Sequence, residues 1–227
     1  MNSIIGPLMG NIDPEIIASA MPFLWDGLWT SFCLLLLAMT GGIALGATLA
    51  VMRIAGSRPV AAFATAYVNG LRSVPLIMVI FWFYLLIPLA TGRPIGAFTS
   101  ALVAFTIFEA AYYSEIIRAG IQSVSRQQLA AAAASGLRPL QAYRFVILPQ
   151  AFRKMTPILL SQSIALFQDT SLVYVVGLHD FMTAVSVTAN REGHLVAFYL
   201  FATAVYFALC FTASQSVQLL KRTMVSR

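Results

Sequence analysis

Residues 109–157 read EAAYYSEIIRAGIQSVSRQQLAAAAASGLRPLQAYRFVILPQAFRKMTP. The stretch leaves an apolar run and carries six basic residues (Arg118, Arg126, Arg138, Arg144, Arg153 and Lys154) through a polar excursion. It enters a second apolar run at Pro157. The rest of the chain is mostly compatible with hydrocarbon: 59% of its 227 residues are hydrophobic and 10% are charged. A soluble domain is about 25% charged, so this chain has too little polar surface to cover a globule, and lipid is its alternative solvent. A conspicuous polar excursion in such a chain is a place for something to dock.

Outward from the excursion, the apolar runs divide into spans of about the 20 residues that a bilayer core requires. The third span covers residues 97–118, the excursion 119–156 and the fourth span 158–177. An outer segment, 178–194, holds Asp180, Arg191, Glu192, His179 and His194, and the fifth span is 195–219. Towards the N-terminus, residues 59–90 are too long for one simple span and are interrupted by Arg72-Ser73-Val74-Pro75. Residues 60–71 are therefore a half-helix at the interface, and Ser73 caps a second span over 74–88 with Pro75 in its first turn. Thr91-Gly92-Arg93-Pro94 is a tight turn, and Arg72 can snorkel to the headgroups. The first span is 28–52; its Gly41, Gly42 and Gly46 either admit a close neighbour or are simply tolerated. Before it, Asp13 as N-cap and Pro14 at the first position predict a short surface helix over 11–25. The first apolar run is too long for a signal-peptide core and lacks a basic leader, so it stays in the membrane.

All 14 Lys/Arg except Arg93 and Arg191 then fall on one side. This is the positive-inside pattern; it accounts for the net charge of +6 without nucleic acid. The fold class expected is an all-α integral membrane protein of about five transmembrane helices. Its N-terminus is outside, its C-terminus is cytoplasmic, and a cytoplasmic coupling-helix loop joins the third and fourth spans. The domains are an extracytoplasmic segment 1–24, a transmembrane domain 25–220 and a tail 221–227.

Within the excursion, Ser125 followed by Gln128 matches a capping box, so a helix begins there and runs through the alanines to Gly136, which takes the left-handed C′ conformation. Pro139 opens a second short helix that ends before Pro149, because the residue preceding proline avoids α geometry. In it Leu140, Tyr143 and Ile147 share one face. Phe145 lies on the other, either as a knob for a partner's groove or packed back onto the spans.

These residues resemble the cytoplasmic loop of permease subunits of ATP-binding-cassette importers. The family's Glu-Ala-Ala, three residues, Gly, nine residues and Ile-x-Leu-Pro fall here on Ala130-Ala131-Ala132, Gly136 and Val146-Ile147-Leu148-Pro149. Ala130 replaces the Glu, which removes any ionic contact that Glu makes; Val146 for Ile is a trivial change. RSVPL at 72–76, residues 109–120 and QDTSL at 168–172 are similar to the polar-amino-acid subfamily. Residues 109–124 and 167–178 are most similar to permeases for glutamate and aspartate. The resemblance implies ATPase coupling through Ala130, Ala131, Ala132, Gly136, Phe145, Leu148 and Pro149. It implies as partners a second permease subunit, homologous or identical, two ATP-binding subunits and an extracytoplasmic solute-binding protein. The place is then the bacterial cytoplasmic (inner) membrane, in contact with lipid.

Ionisable side chains at the bilayer centre cost about 2.5–3.5 kcal/mol on insertion scales, so each is a functional hypothesis. Glu115 is explained by an i,i+3 pair with Arg118. Glu109 has no partner in sequence reach and either bonds to another span or lines the path. Asp169, between Gln168 and Thr170-Ser171, either lines a path or caps a broken helix whose free N–H groups favour a substrate carboxylate. Glu109, Gln168, Asp169, Thr170 and Ser171 are thus the candidate translocation path. No G-x-x-x-x-G-K-[ST] loop is present, so this chain holds no cofactor of its own, and ATP belongs to the partner subunits. His179 and His194 are ordinary surface histidines rather than metal ligands. The chain is expected to be a transport subunit and not an enzyme. An ion-gradient-driven secondary amino-acid transporter is the alternative. Such folds show inverted repeats with two broken helices, whereas this chain has one candidate break and no repeat.

Overall fold

A computed structural model describes residues 14–93 and 95–225, and all regular structure among them is helical. In chain order the elements are α1 (Pro14–Ala55), α2 (Arg58–Arg72) and α3 (Leu76–Thr91, with a π-helical turn at Trp82–Leu86). Then follow α4 (Ala97–Gln122), α5 (Arg126–Ala134), α6 (Pro139–Ala142) and a π-helical turn over Tyr143–Ile147. The chain continues through α7 (Leu148–Asp169), a 3-10 segment (Thr170–Val176), α8 (Phe181–Glu192) and α9 (Leu195–Val225). Four stretches are long and apolar enough to cross a bilayer: Glu15–Ala55, Ala97–Gln122, Pro139–Val176 and Leu195–Met224. The pair α2 and α3, bent by 105°, brings the number to five when counted as one broken span.

The spans thus match the sequence reading in number and order, but several boundaries do not. The short surface helix expected over 11–25 is not separate: α1 is one helix of 42 residues that carries Pro22 in its interior. Where no turn residue offers the backbone another partner, staying helical satisfies every N–H and C=O internally, and lipid leaves no other solvent for them. The N-cap expected at Asp13 lies outside the described residues. Ser73 does not cap the span that follows it. Its hydroxyl donates back to the Asn69 carbonyl at 2.7 Å, and α3 starts only after Pro75, which is its N-cap. Arg72 packs its guanidinium over the Tyr112 ring at 5.3 Å.

The helix expected to end before Pro149 does not end. Pro149 has no N–H, and its ring collides with the carbonyl four residues earlier in a regular α-helix. Here that residue, Phe145, lies in the π turn, where the Leu148 N–H bonds five residues back to the Tyr143 carbonyl. The wider turn accommodates the proline, and the chain runs as one helical rod from the excursion into the fourth span. Pro88 follows the π turn of α3 in the same way.

One core cluster joins α1, α3, α4, α7 and the 3-10 segment through Leu34, Ile80, Phe105, Leu166 and Val173. A second joins the start of α1 to α8 and α9 through Leu24, Phe181 and Phe198. Between α1 and α4 the helices nearly touch. A Cβ on Gly46 would stand 2.9 Å from the Ala110 carbonyl oxygen, the Ser114 nitrogen and the Tyr113 Cβ. This glycine is needed for close approach, as small residues are where lipid provides no hydrophobic drive between helices.

Gly46→Val is expected to destabilise the detergent-solubilised protein by about 1–3 kcal/mol, the usual cost of overpacking, seen as a lower thermal unfolding midpoint. Gly70→Val, where nothing lies within 4 Å of the new Cβ, should cost no more than its helix propensity; equal losses in the two variants would contradict the close seam.

Candidate functional site

The excursion forms a compact two-helix hook. The Ser125 hydroxyl oxygen accepts from the Gln127 N–H at 3.2 Å and starts α5. The reciprocal half of the expected capping box is not made, because the Gln128 Oε1 accepts from the Gln150 side chain instead, at 3.4 Å. The other end is as predicted. Gly136 has φ +77°, its N–H donates to the Ala133 carbonyl, and the Leu137 N–H donates to that of Ala132. These two bonds are the Schellman arrangement. At the next helix start, the Arg138 N–H donates to the Gln141 side-chain oxygen at 2.9 Å.

The coupling residues read from the sequence divide between inside and outside. Ala132 is buried and Leu148 half-buried, whereas Ala130, Ala131, Gly136, Phe145 and Pro149 are exposed. Phe145 does not pack back onto the spans. It is 61% exposed, with the Arg144 guanidinium 5.5 Å from its ring centre. Leu140, Tyr143 and Ile147 were expected to share one face; Ile147 is buried, whereas Tyr143 is exposed and Leu140 is 80% exposed. The π turn changes the angular step between these positions, so 3.6-residue periodicity misplaced Leu140. Nothing in the sequence pattern marks such a turn except the proline after it.

The hook is tied to the spans at its base. Val124, Ile147 and Ala151 pack together, and Lys154 Nζ donates to the Ser123 carbonyl at 2.9 Å. One turn further in, Glu115 accepts from Arg118, the pair foreseen in the sequence. It also accepts from Arg53 of α1 at 2.7 Å, a partner that no local spacing announces. Arg118 continues to the Gln122 side-chain oxygen at 2.6 Å. Arg53 is only 10% exposed and Glu115 26%, so this cluster locks α1 to α4 where the hook begins.

Higher in the bundle, Glu109 is fully buried. The Gln162 side-chain amide on α7 donates to both of its carboxylate oxygens at 3.2 Å. Of the two alternatives for Glu109, the bond to another span is the one present. Asp169 is half-buried and Gln168 exposed. The expected helix break is absent: α7 tightens into the 3-10 segment, and the Thr170 N–H still bonds to the Gln168 and Leu166 carbonyls. The Thr170 and Ser171 hydroxyls donate to the carbonyls of Phe167 and Gln168, both at 2.7 Å. Asp169 makes no side-chain cap. A short polar side chain next to a tightened turn is satisfied locally, so no fan of free N–H groups forms there.

In the segment before α9, Asp180 caps α8 by accepting from the Met182 and Thr183 N–H groups and the Thr183 hydroxyl. Burial pushes its carboxyl up from the ordinary aspartate value, against those hydrogen bonds. His179 lies against Phe23 with ring centres 4.5 Å apart. Among the described residues no group of three or more His, Cys, Asp and Glu side chains is placed to hold a metal.

A bundle of membrane-length helices with an ordered polar hook defines an integral membrane protein. The sequence model for the binding-protein-dependent transport system inner membrane component matches residues 42–226, and the chain belongs to that family of ATP-binding-cassette importer permeases of the inner membrane. It is 49% identical over 221 residues to the glutamate/aspartate import permease protein GltK of Escherichia coli O6:H1, a match covering 94% of this chain and 99% of GltK. The probable glutamine ABC transporter permease protein GlnM of Bacillus subtilis (strain 168) is 35% identical over 88% of this chain and 92% of its own length. Among solved structures, a crystal structure of an amino acid ABC transporter with histidines superposes with a TM-score of 0.88 at 30% identity. It covers 93% of this chain and 99% of the matched one. The methionine ABC transporter MetNI shares the fold, with a TM-score of 0.70 at 19% identity over 88% of this chain and 97% of its own.

Glu115→Ala is expected to lower stability by about 1–3 kcal/mol, the scale of hydrogen bonds to charged groups, because it strands Arg53 nearly buried. Glu192→Ala breaks a pair whose Arg191 is 60% exposed and should stay within about 1 kcal/mol of wild type. Thermal unfolding in one detergent compares them, and an equal effect would mean that the Arg53 contact contributes nothing.

Proposed function

We propose that this chain is half of the translocation unit of an ATP-driven importer of acidic amino acids, glutamate and aspartate, as in GltK. Its N-terminus is outside, its C-terminus and the hook are in the cytoplasm, and a second permease chain, homologous or identical, completes the path. Two ATP-binding subunits supply the ATP and dock on the hook, and an extracytoplasmic solute-binding protein selects and delivers the substrate. The observation that carries this reading is the hook itself, with Leu140 and Phe145 exposed at one end of a continuous helical rod.

In this reading Phe145 and the exposed Leu140 enter a groove of the ATPase. Ala130, Ala131 and Gly136 let that partner approach closely, while Ala132, Leu148 and Pro149 join the hook to the rod. Closure of the ATPases moves the hook, and α7 carries the movement to Gln168, Asp169, Thr170 and Ser171, the part of the path that this chain supplies. Glu109 holds α4 to α7 through Gln162, so the two helices move together. ATP biases the switch only because the docked assembly binds it differently in the two arrangements.

The reading is tested in proteoliposomes holding both permeases and the ATPase, with the binding protein added. Labelled glutamate should enter only with ATP and regardless of an uncoupler; uptake that an uncoupler abolishes would favour ion-driven transport. Gly136→Pro, at a backbone angle proline does not adopt, should reduce uptake per ATP hydrolysed by about tenfold, the effect of losing a contact worth ~1.4 kcal/mol. Normal uptake in that variant would remove the hook from the mechanism. Asp169→Ala should impair uptake more than membrane insertion, and equal loss of the two would make the residue structural.

A further inference from the structure

Between α7 and α9 runs a groove that no residue of α1 or α4 lines. Its far part, of about 570 Å³, is lined by Gln168, Thr203 and Tyr206, with Phe207 and Phe211 as apolar wall. Its near part, of about 470 Å³ and at the end where the hook lies, is lined by Arg153, Lys154, Ser161, Gln218 and Lys221. Ser214 lines both parts. Lining positions recur three or four apart on each helix, from Lys154 through Ser161 to Gln168 and from Thr203 through Ser214 to Lys221. One face of each helix therefore lines the whole groove.

Three features separate this groove from an ordinary cationic helix end. Arg153, Lys154 and Lys221 line one cavity from two antiparallel helices, and among the described residues no acidic side chain lines either part. Lys154 is oriented by its bond to the Ser123 carbonyl, which leaves two of its three N–H groups free to donate. Beyond the cations, the groove continues past Ser161 and Ser214 towards Gln168 and Thr203, of which Ser161, Gln168 and Thr203 are exposed. The Ser161 and Thr203 hydroxyls donate to the Pro157 and Tyr199 carbonyls four residues earlier, whereas the exposed Gln168 amide is costly against hydrocarbon and suited to a hydrated path.

We propose that Arg153, Lys154 and Lys221 form an exit site that receives the two carboxylates of an acidic amino acid before its release. The proposal rests on the acidic-substrate reading above. It places positive charge where the substrate leaves, although among the described residues no Lys or Arg lines the far part of the groove. Cations that line one cavity favour an anion in it, and solvent at the open mouth keeps the attraction weak enough for release.

The test uses the complete transporter in proteoliposomes, one set of zwitterionic lipid only and one containing phosphatidylglycerol. In both, Arg153→Gln combined with Lys221→Gln should lower glutamate uptake per ATP hydrolysed by about tenfold or more, the scale of lost charge-assisted hydrogen bonds. The charge-keeping pair Arg153→Lys with Lys221→Arg should retain most of it, which separates lost charge from lost folding. Unchanged uptake per ATP in the neutralised pair overturns the exit site, as does an equal loss in the charge-keeping pair. A loss confined to phosphatidylglycerol vesicles overturns it in favour of a lipid site. Wild-type transporter that hydrolyses ATP but takes up no glutamate in either set overturns the acidic-substrate reading, and the exit site with it.

Discussion

The rest of the bundle is arranged around the seam between α1 and α4, where glycine on one helix meets backbone on the other and Arg53 reaches Glu115. In a bilayer, helices gain little from hiding apolar surface from each other, because the lipid is equally apolar. What holds them is contact close enough for dispersion, together with polar groups that have no cheaper partner. At Gly46 the first condition is met, and at Glu115 the second. The seam fixes α4 as a post at whose foot the hook begins. The Lys154 bond to the Ser123 carbonyl then ties the hook's base, at the end of α4, to α7.

Helical continuity through Pro149 has a mechanical consequence. A hook joined by a loose loop absorbs displacement in the loop. A hook joined through α6, the π turn and α7 transmits it along the rod towards Asp169. The π turn is the local solution that makes this possible, since it removes the collision that would otherwise end the helix at the proline. Its second effect is on the surface. By changing the angular step it separates the exposed Leu140 from the buried Ile147, so the hook presents Leu140 as well as Phe145 to solvent.

Charge is distributed along the chain in three different roles. Glu115 is held between two arginines and is structural. Glu109 is buried and held by one glutamine amide, a neutral partner that ties α4 to α7. Arg153 and Lys221 line a groove in whose wall no acidic side chain stands among the described residues, and in the proposed exit site they meet the departing substrate.

The chain alone determined the solvent, the number and order of the spans, the hook, the turn at Gly136 and the Arg118–Glu115 pair. Each rests on composition or on spacing within about one helical turn, and such signals survive whatever the rest of the fold does. The resemblance at Ala130-Ala131-Ala132, Gly136 and Val146-Ile147-Leu148-Pro149 pointed to the family, which the match over residues 42–226 establishes. Tertiary structure decided the uninterrupted course of α1, the rod through Pro149, the outward Leu140, Arg53 as a second partner of Glu115 and Gln162 as the partner of Glu109. It also decided that the polar run at Gln168–Ser171 tightens the helix rather than breaking it. The π turn accounts for the rod and for Leu140, and two further physical reasons account for the rest. Partners 53 to 62 residues apart leave no periodic trace in a sequence. A helix in lipid also keeps its hydrogen bonds past residues that would end it in water, because no solvent is there to take them over.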